Sequence, residues 1–147
     1  MAARNRLAAL RLIDRIKQHE METIGSDLAR LRAAQKDIDD QSQKLRHDAQ
    51  HEASTSTDET RKFLPSFLAS VDIRQATLSK QRQAMDKEVS IAETKLFAAF
   101  RETKTTEQVL GKVVREIAQE DARAATVEMD DATRSLLLLQ RRAQQTQ

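Results

Sequence analysis

The 147-residue sequence is poor in the residues that build turns and globular cores. It has two glycines, one proline and four phenylalanines, and it contains no cysteine, tryptophan or tyrosine. Turns depend on the special backbone dihedrals of Gly and Pro, so this composition leaves room for about one turn. Four aromatic rings cannot fill an ordinary globular core. The absence of cysteine excludes disulfide bonds and thiolate chemistry.

Long apolar runs are also missing. The N-terminal leucines are interrupted by Arg4, Arg6 and Arg11, whereas a signal peptide needs an uncharged apolar core of about seven to fifteen residues. No run approaches the roughly 20 apolar residues of a membrane span. We therefore expect a soluble protein that is not secreted by that route and does not insert directly into a membrane.

The sequence does have apolar residues in alternating steps of three and four. In the second half they are Val89, Ala92, Leu96, Ala99, Thr103, Thr106, Leu110, Val113 and Ile117, and the same frame runs back through Met85, Leu78 and Val71. This spacing is the a/d seam of a left-handed coiled coil. It predicts one helix over most of the second half.

The first half carries a weaker seam. Its members are Met21, Ile24, Leu28, Leu31, Ile38, Leu45 and Ala49, with Gln35 and Ser42 at polar a positions. A further stripe of Leu7, Leu10, Ile13 and Ile16 is expected to lose register across residues 17–20. Polar a positions lower stability while fixing register.

One break divides the two seams. Residues 54–57 all carry hydroxyls, which are unfavourable in a helix interior. Ser56 and Glu59 have capping-box spacing, so helix two starts either near Thr57, with a kink at Pro65, or at Leu64, the start we favour. We predict a single domain over residues 1–147, with helix one over about 3–53, a turn over about 54–63 and helix two over about 64–140.

A short connection between long helices predicts an all-α, elongated antiparallel two-helix coiled coil, a helical hairpin with unequal arms. With the turn near Thr57, facing residue numbers sum to roughly 114, and the second arm overhangs beyond about residue 114.

The net charge differs between segments of the chain. Five bases against one acid give residues 1–17 a net +4, five acids against one base give residues 119–131 a net −4, and three arginines give residues 134–147 a net +3. The acidic block could pair with the N-terminal arginines.

Catalytic and metal-binding patterns are weak. His47 and His51 have the four-residue spacing at which two imidazoles can share a metal, but no H-E-x-x-H motif follows. There is no Gly-rich phosphate loop and no nucleophile with an arranged base. We expect no enzymatic activity, metal or cofactor. Leucines interleaved with the N-terminal arginines also argue against a DNA-reading helix, so no nucleic-acid partner is expected.

Several apolar residues lie outside the seams: Phe63, Phe67, Phe97, Phe100, Val109, Val114 and the run Leu136, Leu137, Leu138 and Leu139. Some could widen the seam at e and g positions. The others would be exposed on a two-helix hairpin, and exposed apolar patches often mark partner surfaces.

Three short segments resemble the FliJ family of flagellar export proteins and the related YscO-type stalk proteins of injectisomes. They are Phe63-Leu64-Pro65-Ser66-Phe67-Leu68, then Gln81-Arg82-Gln83-Ala84-Met85, then Val89, Leu96, Ala99-Phe100, Lys104 and Glu107. The resemblance implies a cytoplasmic stalk of a type III export apparatus, peripherally associated with the membrane. It implies a hexameric export ATPase and a membrane export-gate protein as partners, with export chaperones as a further possibility.

The resemblance also implies sites for both partners. Phe63, Phe67, Val71 and Leu78 are assigned to the export gate. The two basic chain ends are assigned to the ATPase ring, through Arg4, Arg6, Arg11, Arg15, Arg134, Leu136, Leu137, Leu138, Leu139, Arg141 and Arg142. Two other functions stay open: a homo-oligomeric structural or scaffold coiled coil, and a nucleic-acid-binding zipper, which salt-dependent binding would reveal.

Overall fold

The computed structural model describes residues 2–146, and these form two long helices. Helix α1 spans Ala2–Thr55, with 54 residues, and helix α2 spans Leu64–Gln145, with 82 residues. A single-turn 3₁₀ helix, Arg61–Phe63, lies between them. Residues 2–146 contain no strand. The predicted all-α helical hairpin with unequal arms is therefore confirmed.

Hydroxyl side chains build the turn between the helices. At the end of α1, the Thr55 hydroxyl donates to the His51 carbonyl at 2.7 Å. After it, the Thr57 backbone N–H donates to Thr60 Oγ1 at 2.9 Å, and the Thr60 N–H donates to the Thr57 carbonyl at 3.1 Å. Only one half of a capping box is thus present, and it lies one residue later than the Ser56–Glu59 spacing suggested: the Thr60 hydroxyl accepts from the Thr57 N–H, whereas the Thr60 N–H bonds to a carbonyl instead of a side chain. Helix α2 begins at Leu64, which places Pro65 in the first turn, where a missing N–H is harmless.

Contacts divide the chain into two compact units, which we name for their contents. The turn unit comprises residues 19–101, and the terminal unit comprises residues up to Gln18 together with those from Glu102 onward. Each unit contains one segment of α1 and one of α2, and each is described separately below.

In the turn unit, an apolar seam joins the two helices. Leu28, Val89 and Ala92 form a buried cluster, with Leu31 and Leu96 packed against it. Every predicted first-half seam position from Met21 to Ala49 is buried or half-buried. This burial fits the 3.5-residue repeat, which keeps one narrow face of a helix against its partner.

Polar seam residues of the turn unit are bonded across the two helices. The Ser42 hydroxyl donates to Gln75 Oε1 at 2.8 Å, and Gln35 Nε2 donates to Asp86 Oδ1 at 2.8 Å. These pairs have residue numbers that sum to 117 and 121, so the predicted sum of roughly 114 is wrong. The reason is the turn, which extends to Phe63 and so lies later than a centre at Thr57.

In the terminal unit, the seam of α1 is partly polar. Leu7, Leu10, Asp14 and Lys17 are half-buried, whereas Ile13 and Ile16 remain 43% and 49% exposed. The predicted stripe is therefore wrong beyond Leu10. The half-buried positions of α1 follow steps of three and four without interruption up to Met21, so the expected loss of register across residues 17–20 does not occur.

The α2 segment of the terminal unit supplies the facing side of this seam. Val113 and Thr103 are each only 2% exposed, and Thr106, Leu110 and Ile117 are half-buried. Both threonines of the predicted seam are therefore buried or half-buried, as the heptad spacing predicted. Helix α2 continues well past this seam.

Within residues 2–146, neither helix contains a stretch long and apolar enough to cross a membrane.

Candidate partner-binding surfaces

The four residues assigned to the export gate are not all accessible. Val71 is 8% exposed and Leu78 is 2% exposed, because both belong to the seam of the turn unit. The structure contradicts their assignment to a free surface, since a partner could reach them only if the hairpin opened. Phe63 and Phe67 are 64% and 37% exposed. The sequence already placed Val71 and Leu78 in the heptad frame, which was the signal that they are buried.

Phe63 and Phe67 lie four residues apart beside the turn. They line a shallow depression together with Glu52, Ser56, Thr60 and Leu64. The Lys62 ammonium lies 5.0 Å from the centre of the Phe63 ring, within the range of a cation–π contact. We call Phe63, Leu64 and Phe67 the turn surface. It offers two partly exposed rings beside a cation, which suits an apolar anchor with polar neighbours on a partner.

The N-terminal arginines divide into two pairs. Arg4 contacts Asp121 at 3.3 Å, and Arg6 contacts Glu116 at 2.9 Å. All four side chains are more than half exposed, so these ion pairs add little stability. Arg11 and Arg15 take part in no ion pair within residues 2–146 and are exposed.

The contact between Arg4 and Asp121 also corrects the predicted overhang. The two helices face each other up to Asp121, whereas the sequence placed the end of pairing near residue 114. We call residues 122–145 the α2 tail. At 1.5 Å per residue, the tail is roughly 36 Å long.

The α2 tail is exposed on all sides. From Ala118 onward, every described residue is exposed, and the four leucines from Leu136 to Leu139 are each more than half exposed. Arg134, Arg141 and Arg142 make no ion pair among the described residues. The α2 residues assigned to the ATPase ring, from Arg134 to Arg142, thus lie together on one accessible helix segment.

Threonine hydroxyls in the tail are bonded within the helix. Thr126 donates to the Ala122 carbonyl at 3.0 Å, and Thr133 donates to the Met129 carbonyl at 2.9 Å. Their methyl groups therefore form part of the outer surface.

Sequence reasoning missed one exposed apolar patch on α1. Leu12, Ile13 and Ile16 are 55%, 43% and 49% exposed. Ile13 and Ile16 were expected in the seam, and only the continuous heptad frame from Leu10 through Asp14 and Lys17 reveals that they lie outside it.

Two histidines near the end of α1 have the spacing of metal ligands. The His47 and His51 rings stack with centroids 6.5 Å apart. Within residues 2–146, no group of three or more His, Cys, Asp or Glu side chains could hold a metal ion. The surfaces described above are therefore the best candidates for function.

Comparisons of this chain with protein-family models, with curated proteins and with solved structures found no match.

Proposed function

We propose that this protein is a non-enzymatic, cytoplasmic stalk component of a flagellar type III export apparatus, peripherally associated with the membrane. In this role it contacts a hexameric export ATPase through its chain ends and an export-gate protein through the turn surface, and it serves as a docking point for export chaperones. The alternative is that it is the equivalent stalk protein of an injectisome. The proposal rests on the resemblance of the segments around Phe63, Gln81 and Val89 to the FliJ family.

The single observation that best supports an ATPase contact is the exposed α2 tail. Leucine side chains supply apolar area that gains about 25 cal/mol per Å² when buried, and arginines supply orientation and attraction to carboxylates. Four leucines and three arginines lie together between Arg134 and Arg142, and among residues 2–146 all seven are exposed and the arginines make no ion pair. A concave protein wall lined with carboxylates is the kind of surface that complements this segment.

The ATPase contact is tested by deleting residues 132–147. Residues 132–146 are all exposed, so the helical circular-dichroism signal per residue and the melting of the hairpin should be preserved after the deletion. The purified hexameric ATPase should then lose its stimulation by the protein. Undiminished stimulation with the truncated protein would place the ATPase contact elsewhere.

The gate contact is tested at the turn surface. Phe63→Ala with Phe67→Ala should weaken binding to an export-gate protein while the stimulation of the ATPase remains. Val71→Ala is the matched control, because Val71 is buried and its truncation should lower the melting temperature instead. Gate binding that survives the loss of both rings would remove the turn surface from the proposal.

A further inference from the structure

The α2 tail and the four residues before it carry a complete heptad seam, which we call the tail seam. Its members follow unbroken steps of four and three and are all apolar: Ala118, Ala122, Ala125, Met129, Ala132, Leu136, Leu139 and Ala143. All eight are exposed. This tail seam begins one residue after Ile117, the last half-buried residue of the hairpin seam. One residue rotates a helix by about 100°, so the tail seam lies on a different face of α2.

The hairpin seam and the tail seam therefore follow different heptad frames of the same helix. Continuing the hairpin frame past Ile117 would place Asp131, Arg134 and Arg141 in an interface. The tail seam instead contains no charged residue. An uninterrupted apolar heptad stripe on an exposed helix is the pattern that pairs with a second helix.

We propose that the α2 tail pairs with the α2 tail of a second copy of this chain, in antiparallel orientation. In the register where facing residue numbers sum to 261, Ala122 faces Leu139, Ala125 faces Leu136, and Met129 faces Ala132. Each of these three layers joins a small side chain to a large one, whereas the outermost layer sets Ala118 against Ala143. The two-fold symmetry of the pair repeats every layer. A parallel pair would set leucine against leucine and alanine against alanine, leaving uneven layers.

Charge selects the same orientation. Residues 119–131 carry a net −4 and residues 134–147 a net +3. Antiparallel pairing places the acidic block of one copy beside the basic block of the other, and it brings Asp121 close to Arg142 because both flank the tail seam at g positions. Parallel pairing would place each block beside its like-charged counterpart, which opposes association.

This inference does not rest on the proposed export function. The pair buries Leu136 and Leu139 and leaves Leu137 and Leu138 on its outer surface. Self-association and ATPase stimulation are separate measurements, so either can fail without the other.

Sedimentation equilibrium of the full chain over a concentration series provides the first test. The mass should rise with concentration from the 16.7 kDa monomer towards twice that value. Leu136→Asp with Leu139→Asp should keep the protein monomeric throughout. Leu137→Asp with Leu138→Asp is the matched control, because these neighbouring leucines are similarly exposed but lie outside the tail seam, and it should still dimerise. A monomeric wild type, or equal behaviour of the two double variants, would overturn the proposal.

Cross-linking tests the orientation of the pair. The chain has no native cysteine, so each introduced cysteine is the only thiol of its variant. Ala122→Cys mixed with Leu139→Cys should form a disulfide-linked pair of the two different variants under mild oxidation. Ala122→Cys alone should not link to itself, because residues 122 of the two copies lie at opposite ends of an antiparallel pair. Efficient self-linking of Ala122→Cys would establish a parallel arrangement and contradict the proposal.

Discussion

The turn unit and the terminal unit share one heptad frame but differ in how the polar residues at seam positions are hydrogen-bonded. In the turn unit, Ser42 and Gln35 are each hydrogen-bonded to a side chain of the opposite helix. In the terminal unit, Asp14 accepts a bond from Gln18 of its own helix, at 3.2 Å. Its second carboxylate oxygen, Oδ1, is buried and has no hydrogen-bond partner among residues 2–146.

The difference shows when a polar seam position stabilises a pair of helices. A bond across the interface fixes register and satisfies both groups. A buried oxygen without a partner keeps the full cost of losing water, about 1–3 kcal/mol. We infer that the turn unit contributes most of the interhelical stability and that the seam of the terminal unit is the weaker of the two.

The largest expected effect comes from removing a seam leucine of the turn unit. Leu78→Ala should lower the free energy of unfolding by about 3 kcal/mol, because it deletes a side chain that is 2% exposed and leaves a cavity. Urea denaturation followed by the helical circular-dichroism signal measures this change. Ile73→Ala on the same helix is the control, since Ile73 is 71% exposed and should change stability little. Similar losses of stability from Leu78→Ala and Ile73→Ala would contradict the burial of Leu78 in the seam.

A smaller effect of opposite sign is expected in the terminal unit. Asp14→Leu should raise the free energy of unfolding by about 1–2 kcal/mol, because it removes the unpaired oxygen and adds apolar burial. Amide hydrogen exchange of the first turns of α1 should slow accordingly. Arg15→Leu replaces an exposed charge at the next position and should give no such gain. If Asp14→Leu destabilised the protein, the carboxylate would have a partner that stabilises it.

The smallest effect is expected at the two glycines, one in each unit. A Cβ added at Gly25 or Gly111 would meet no atom within 4 Å. Gly25→Ala and Gly111→Ala should therefore each raise stability by up to about 1 kcal/mol through helix propensity alone. Thermal melting should give similar gains for both, since the two units differ in their seams and not in helix propensity. Clearly unequal gains would point to a packing difference beyond the polar seam residues.

The heptad pattern predicted the hairpin and its seam because burial in a two-helix pair depends mainly on spacing. Every predicted position from Val89 to Ile117 is buried or half-buried. The prediction failed where the heptad spacing and the hydrophobicity of the residues disagree. Ile13 and Ile16 are apolar, yet the heptad frame of the continuous helix places Asp14 and Lys17 in the seam. At the turn, several hydroxyl residues offered equivalent caps, and only backbone geometry selects Thr57 and Thr60.

The candidate sites were less predictable than the fold. Exposure distinguishes Phe63 and Phe67 from Val71 and Leu78, and this distinction needs the partner helix. The grouping of Arg134, the four leucines, Arg141 and Arg142 was readable from the sequence, because it depends on one helix alone. The partner of the turn surface could not be read from the chain, because recognition there depends on the side chains of a different molecule.

The hydroxyl bonds within α2 determine which polar groups of the tail remain available to bind a partner. Since Thr126 and Thr133 donate to their own helix, they present methyl groups outward and have no free donor to offer. Polar recognition by the tail then falls to its carboxylates, guanidinium groups and glutamine amides, together with the exposed Ser135 hydroxyl. Interactions between exposed charges are screened within about 8 Å at physiological ionic strength. Binding through this segment should therefore weaken as salt is added, while any contribution from its leucines persists.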